Sequence, residues 1–148
     1  MAQIAFHILR GTDERARLKY ACRLTERAYQ AAELVFVALE DATQLQQFDE
    51  LLWTFADRSF VPHEPYRDDT QWQETPVLLG CGQQPQQAFH LLVNLSSQIP
   101  AALALSQRVS EIVDADEPRR RAGRLRYRGY RDQGLNPETH NIAVEQAP

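Results

Sequence analysis

The run Leu34-Val35-Phe36-Val37-Ala38-Leu39 is apolar at every position. A strand with one wet face would alternate, and a surface helix would break the run within a turn. Six residues apolar on both faces fit a strand inside a parallel sheet covered on both sides. That requirement limits what the rest of the chain can do, because it must supply further strands and the helices that cover them.

The flanking pattern meets it. Ile4 to Leu9 reads as a first buried strand, and Gly11-Thr12-Asp13-Glu14 then supplies N-cap residues. Residues 14–31 carry Leu18, Ala21, Cys22, Thr25, Ala28 and Tyr29 at three- and four-residue spacing, which predicts a helix with one apolar face. Asp41-Ala42-Thr43 opens a second helix over 42–55, with Leu45, Phe48, Leu51, Leu52 and Phe55 inward. Residues 56–76, punctuated by Pro62 and Pro65, read as a loop. Strands are predicted at 76–80, 90–95 and 109–113, with 100–106 undecided. Asp116-Glu117-Pro118 starts a last helix that runs to about Gln133 and stops at Gly134. Strands alternating with helices give an α/β class: a single Rossmann-like domain over 1–136, a mainly parallel central sheet flanked by helices. Residues 137–148 are expected to form a flexible C-terminal tail.

Charge is unevenly placed. Residues 119–148 carry seven arginines against Asp132, Glu138 and Glu145, a balance of +4, while the preceding 118 residues carry −8. A basic segment on an acidic body points to an anionic partner for that segment. The start of the chain lacks a basic n-region, and no stretch approaches the ~18 apolar residues of a membrane span. A cytoplasmic protein is the expectation. Cys22 and Cys81 fit no metal-binding spacing.

Residues that could carry chemistry are sparse. The turn after the first strand holds one glycine, Gly11, and no phosphate-binding glycine pattern occurs. His7, His63, His90 and His140 include no pair at helical metal-ligand spacing. Cys22 falls on an apolar helix face, where a small core residue is expected. Asp49 and Glu50 are adjacent on a helix and point apart. The reading is of a chain with no catalytic residues, no cofactor and no metal site.

Two places look like binding surfaces instead. On the last helix Arg120, Arg124, Tyr127, Arg128 and Arg131 share one side. Arginine grips carboxylates with paired hydrogen bonds, and an aromatic wall can shelter an apolar side chain. A solvated helix face and direct contact with nucleic-acid phosphates are the competing readings. The second place is Leu52-Trp53 with Phe60-Val61-Pro62-His63, where two large aromatics fall at a helix end and in the following loop. A helix-end Trp is usually core, but aromatics beside a proline loop are also typical interface anchors.

At these residues the chain resembles a known family. Ala5-Phe6-His7-Ile8-Leu9, Asp49-Glu50-Leu51-Leu52-Trp53, Ser59-Phe60-Val61-Pro62-His63, Pro76-Val77-Leu78-Leu79, Arg124 to Arg131 and Gly134-Leu135-Asn136 follow the order and spacing of the chi subunit of bacterial DNA polymerase III. The resemblance covers about residues 3–136. It implies a non-catalytic Rossmann-like accessory subunit of the clamp-loader assembly. Such a subunit pairs one-to-one with the psi subunit and binds the acidic C-terminal tail of single-stranded DNA-binding protein, which ends in phenylalanine. Carried over by position, Trp53 and Phe60 would face psi, and Arg120, Arg124, Tyr127 and Arg128 would hold the tail. The alternative is a direct nucleic-acid-binding module built on the arginine-rich helix.

Overall fold

The computed structural model describes residues 2–56, 60–67 and 75–142. Within these residues, seven strands are β1 (Gln3–Ile8), β2 (Val35–Ala38), β3 (His63–Pro65), β4 (Val77–Gly80), β5 (Phe89–Asn94), β6 (Ser106–Val113) and β7 (Glu138–Asn141). Three helices are α1 (Glu14–Gln30), α2 (Ala42–Thr54) and α3 (Glu117–Asp132), and a short 3-10 helix spans Ala101–Leu105. The strands form one sheet in the order β3-β4-β2-β5-β6-β1-β7. Every pairing is parallel. The α/β, Rossmann-like expectation therefore holds.

The apolar run behaves as its two-sided pattern requires. Val35, Val37 and Leu39 point into one core, with Leu18, Ala21 and Cys22 of α1 and Phe48, Leu51 and Leu52 of α2. Phe36 and Ala38 point into the opposite core, with Phe6, Leu92, Val113 and, from α3, Tyr130. Alternation along the strand places α1 and α2 on one face and α3 on the other.

Each helix begins where its sequence says. Asp13, Asp41 and Asp116 are the N-caps, their carboxylates accepting from the backbone N–H groups of Arg15, Gln44 and Arg119. Helix α3 ends on Gly134, whose φ of +86° allows the reversal. The Leu135 N–H then reaches back 3.0 Å to the Tyr130 carbonyl, closing the helix end.

The structure corrects the sequence reading in two places. Within the stretch read as a loop, His63–Pro65 forms the edge strand β3; residues 57–59 and 68–74 of that stretch lie outside the described residues. The expected tail opens with β7, which pairs with β1 from Glu138 to Asn141, and the Ile142 N–H donates to the Ile8 carbonyl at 2.9 Å. The folded part thus passes Asn136, and residues 143–148 lie outside the described residues. Short, polar strands show no apolar alternation, so sequence pattern misses them. The undecided stretch 100–106 is the 3-10 helix leading into a β6 longer than expected.

Candidate functional site

Helix α3 is held to the sheet by a buried ionic cluster. Glu111 of β6 is fully buried, and its carboxylate accepts from Arg126 Nε at 2.9 Å, Tyr130 Oη at 2.6 Å and Asn94 Nδ2 at 2.9 Å. Burial and the neighbouring Glu111 charge both push the Tyr130 phenol well above its ordinary range, so it stays a donor. Gly123 completes the seat, since a Cβ there would stand 2.9 Å from Val113 Cγ2. With Gly123, Arg126 and Tyr130 facing inward, helical periodicity turns Arg120, Arg124, Arg128 and Arg131 outward, and all four are exposed.

The seven arginines from Arg119 to Arg131 therefore do different work. Arg126 is spent on Glu111. Arg119 holds Asp114 at 2.7 Å and 2.9 Å, and exposed Arg121 lies 3.9 Å from Glu117. Among the described residues, Arg120, Arg124, Arg128 and Arg131 make no ion pair. These four are the exposed basic stripe that the sequence pattern identifies.

A cavity of about 230 Å³ opens beneath this stripe. Arg120, Arg124 and Tyr127 line it from α3, Phe6 and Ile8 from β1, Val113 from β6 and Thr139 from β7. The Tyr127 ring lies 5.3 Å from that of Phe6. Three of the four sequence-predicted residues thus meet at one opening; Arg128 is exposed on the same helix but does not line it. Sequence reasoning missed the floor. Phe6, Ile8 and Val113 read simply as buried strand residues, and Thr139 falls in the stretch read as tail. The result is a small apolar hollow with cationic groups at its rim, suited to one apolar side chain next to a carboxylate.

Trp53 and Phe60 form a second surface. They are 45% and 62% exposed, with ring centroids 5.3 Å apart. Beneath them lies His63 of β3, its ring 4.3 Å from that of Trp53. His63 is itself fixed, with Nδ1 at 2.6 Å from the Val61 carbonyl and Nε2 at 3.0 Å from the Asp49 carboxylate. The structure thus brings the two aromatics together outside the core, on a rigid base.

The two surfaces occupy opposite edges of the sheet, β3 and β7, and opposite faces, under α2 and α3. Six strand spacings separate those edges, roughly 29 Å at the usual inter-strand distance. Between them, the crevice at the carboxyl ends of the strands contains the buried Arg17. Its guanidinium donates to the carbonyls of Ile112 and Leu95, at 2.9 Å and 3.0 Å, and to Glu14. Ligands of open α/β sheets usually bind in this crevice. Elsewhere, His7 Nδ1 lies 2.8 Å from the Tyr20 hydroxyl, His90 Nδ1 accepts from the Leu34 N–H, and Cys22 is fully buried.

Comparison with known proteins bears on the whole chain. Residues 1–138 match the family model described as "DNA polymerase III chi subunit, HolC". The chain belongs to the DNA polymerase III chi subunit family. It is 34% identical over 142 residues to the DNA polymerase III subunit chi of Pseudomonas aeruginosa, covering 96% of this chain and 98% of that one. The Haemophilus influenzae subunit chi is 29% identical, over 96% and 99% of the two chains. The Escherichia coli subunit chi is 25% identical, over 80% of each. The chi family thus accounts for the resemblance read from Trp53, Phe60 to His63 and the arginine helix. Among solved structures, a crystal structure of T4 UvsW superposes with a TM-score of 0.64 at 14% identity, over 95% of this chain and 42% of that one, a likeness of fold alone. Among the described residues, no helix is long and apolar enough to cross a membrane.

Proposed function

We propose that this chi-family chain is a non-catalytic adaptor of the clamp-loader assembly that joins the psi subunit to the acidic C-terminal tail of single-stranded DNA-binding protein. The observation that carries the reading is the separation of two unlike surfaces on one rigid sheet. Trp53 and Phe60 give an exposed aromatic anchor of the kind that dominates protein interfaces. The cavity ringed by Arg120, Arg124 and Tyr127 offers an apolar hollow beside cationic donors, which fits a terminal phenylalanine and its carboxylate. Arg128, one turn along, extends the positive field to the acids that precede the terminus. Partners on opposite edges do not compete for space, so both can be held at once. Several tails displayed on one coated strand raise their local concentration, which lets weak single contacts tether the assembly.

Direct DNA binding by the arginine helix is the other reading. It is weakened by the arginines that the fold already uses, since Arg119 and Arg126 are committed to Asp114 and Glu111.

The test is a titration of the labelled C-terminal peptide of the host single-stranded DNA-binding protein against wild type and Arg124→Ala at two salt concentrations. Binding should weaken with salt, because exposed charges are screened, and should drop roughly tenfold or more in the variant, as a desolvated charged hydrogen bond is lost. Salt-independent binding that survives Arg124→Ala would sink the tail-binding half. For the other half, Trp53→Ala with Phe60→Ala should abolish co-purification with psi while leaving the melting temperature within a few degrees, since both rings are exposed.

A further inference from the structure

We infer that beside the cavity under Tyr127 lies a second, basic compartment in which Arg10 contacts the acidic residues preceding an apolar C-terminus, a site resting on the tail-binding reading above. This compartment, about 400 Å³, lies at the carboxyl ends of β1 and β7. It shares Ile8 and Arg120 with the cavity, so the two adjoin along one wall. Its remaining lining is Leu9, Arg10, Ala115, Asn141 and Ile142, and among the described residues no acidic side chain lines either compartment.

Arg10 is held where it can act. The chain around it is tied to the segment before α3 by backbone hydrogen bonds from Leu9 N–H to the Val113 carbonyl, 2.8 Å, and from Ala115 N–H to the Gly11 carbonyl, 2.9 Å. The Ile142 N–H closes the far wall on the Ile8 carbonyl. The Arg10 side chain is exposed and makes no ion pair among the described residues. The fixed turn sets where the guanidinium can reach, and its side-chain freedom is what binding there would cost. Two routes lead away from the cavity for an acidic segment. Arg128 and Arg131 stand on the open outer surface of α3, whereas Arg120 and Arg10 line a concavity that adjoins the apolar hollow. The acids next to the terminus are therefore assigned to the Arg120–Arg10 side, where two guanidiniums line adjoining hollows, and Arg128 adds only to the wider positive field.

The experiment uses two fluorescein-labelled peptides ending in a free C-terminal phenylalanine, one with a run of aspartates before it and one with asparagines. Each is titrated by anisotropy against the full chain, Arg10→Ala, Arg124→Ala and Arg15→Ala. Arg15 is an exposed arginine outside both compartments and controls for net charge. Arg10→Ala should weaken the aspartate peptide roughly two- to fivefold, the range for one exposed charge contact. It should leave the asparagine peptide unchanged, and Arg15→Ala should alter neither. If Arg124→Ala destroys binding but Arg10→Ala matches Arg15→Ala, or weakens both peptides alike, the Arg10 contact is overturned and the adaptor reading stands. If wild type binds neither peptide, or Arg124→Ala binds normally, the tail-binding reading falls and this inference with it.

Discussion

Replacing Glu111 by leucine removes the carboxylate on which α3 is seated. The cost follows from what is left behind. Arg126 is 4% exposed and keeps its charge, Tyr130 is fully buried and keeps its hydroxyl, and the Asn94 amide loses one acceptor. Breaking a buried ion pair from one side costs about 3–5 kcal/mol, because the surviving charge is uncompensated. Against a total stability of about 5–15 kcal/mol for a domain, that is a large share. With a urea m-value of roughly 2 kcal/mol/M, the unfolding midpoint should fall by about 1.5–2.5 M. The slope should stay unchanged if the denatured state is unaffected. Removing the stranded partners as well should recover most of the loss: Glu111→Leu with Arg126→Met and Tyr130→Phe replaces the cluster by apolar groups of similar volume, which is often neutral or better. Urea denaturation followed by tryptophan fluorescence and circular dichroism reads all the variants. A loss below about 1 kcal/mol in the single variant, or a triple variant no more stable than the single, would refute the view that Glu111 acts as a charge partner under α3.

Two further outcomes follow from packing and titration. Gly123→Ala gains about 1 kcal/mol of helix propensity but drives a Cβ to 2.9 Å from Val113 Cγ2, a buried β-branched side chain that cannot turn away; overpacking of this kind costs about 1–3 kcal/mol. The variant should be no more stable than wild type and should bind the tail peptide more weakly, because Gly123 also lines the cavity; a clear gain in thermal stability would show that α3 lifts freely. Burial, with smaller effects of His140 and Arg27, lowers the His7 pKa from 6.5 to about 4. The neutral ring is therefore favoured in the folded state: its contribution is fully present above pH 6.5 and is lost as pH falls towards 4. Discounted for partial exposure this amounts to about 1–2 kcal/mol, and His7→Gln should flatten the pH dependence of urea stability across that window; an unchanged slope would remove His7 as its source.

Much of this protein was legible in one dimension. The two-sided apolar run required a covered sheet, and Val35 to Leu39 lies inside it, between β4 and β5 and with a core on each face. The three aspartate caps and Gly134 marked helix ends because those residues satisfy end groups locally. The 3.6-residue period also sorted α3 correctly, setting Arg120, Arg124, Arg128 and Arg131 on the solvent side. What the period could not say is what lies beneath. Arg126 and Arg128 are two residues apart and chemically identical, yet one is buried against Glu111 and the other is exposed, with no ion pair among the described residues. The cavity depends on Phe6, Val113 and Thr139 arriving from three strands, and on β7, whose polar sequence Glu-Thr-His-Asn carries no strand pattern of its own. Exposure of Trp53 was likewise undecidable until β3 placed His63 beneath it. Local sequence determined the elements and which side chains share a face, since those follow from backbone period and end chemistry. Tertiary structure decided which of those faces became a site, since a hollow and a free charge are properties of what the opposite strands supply.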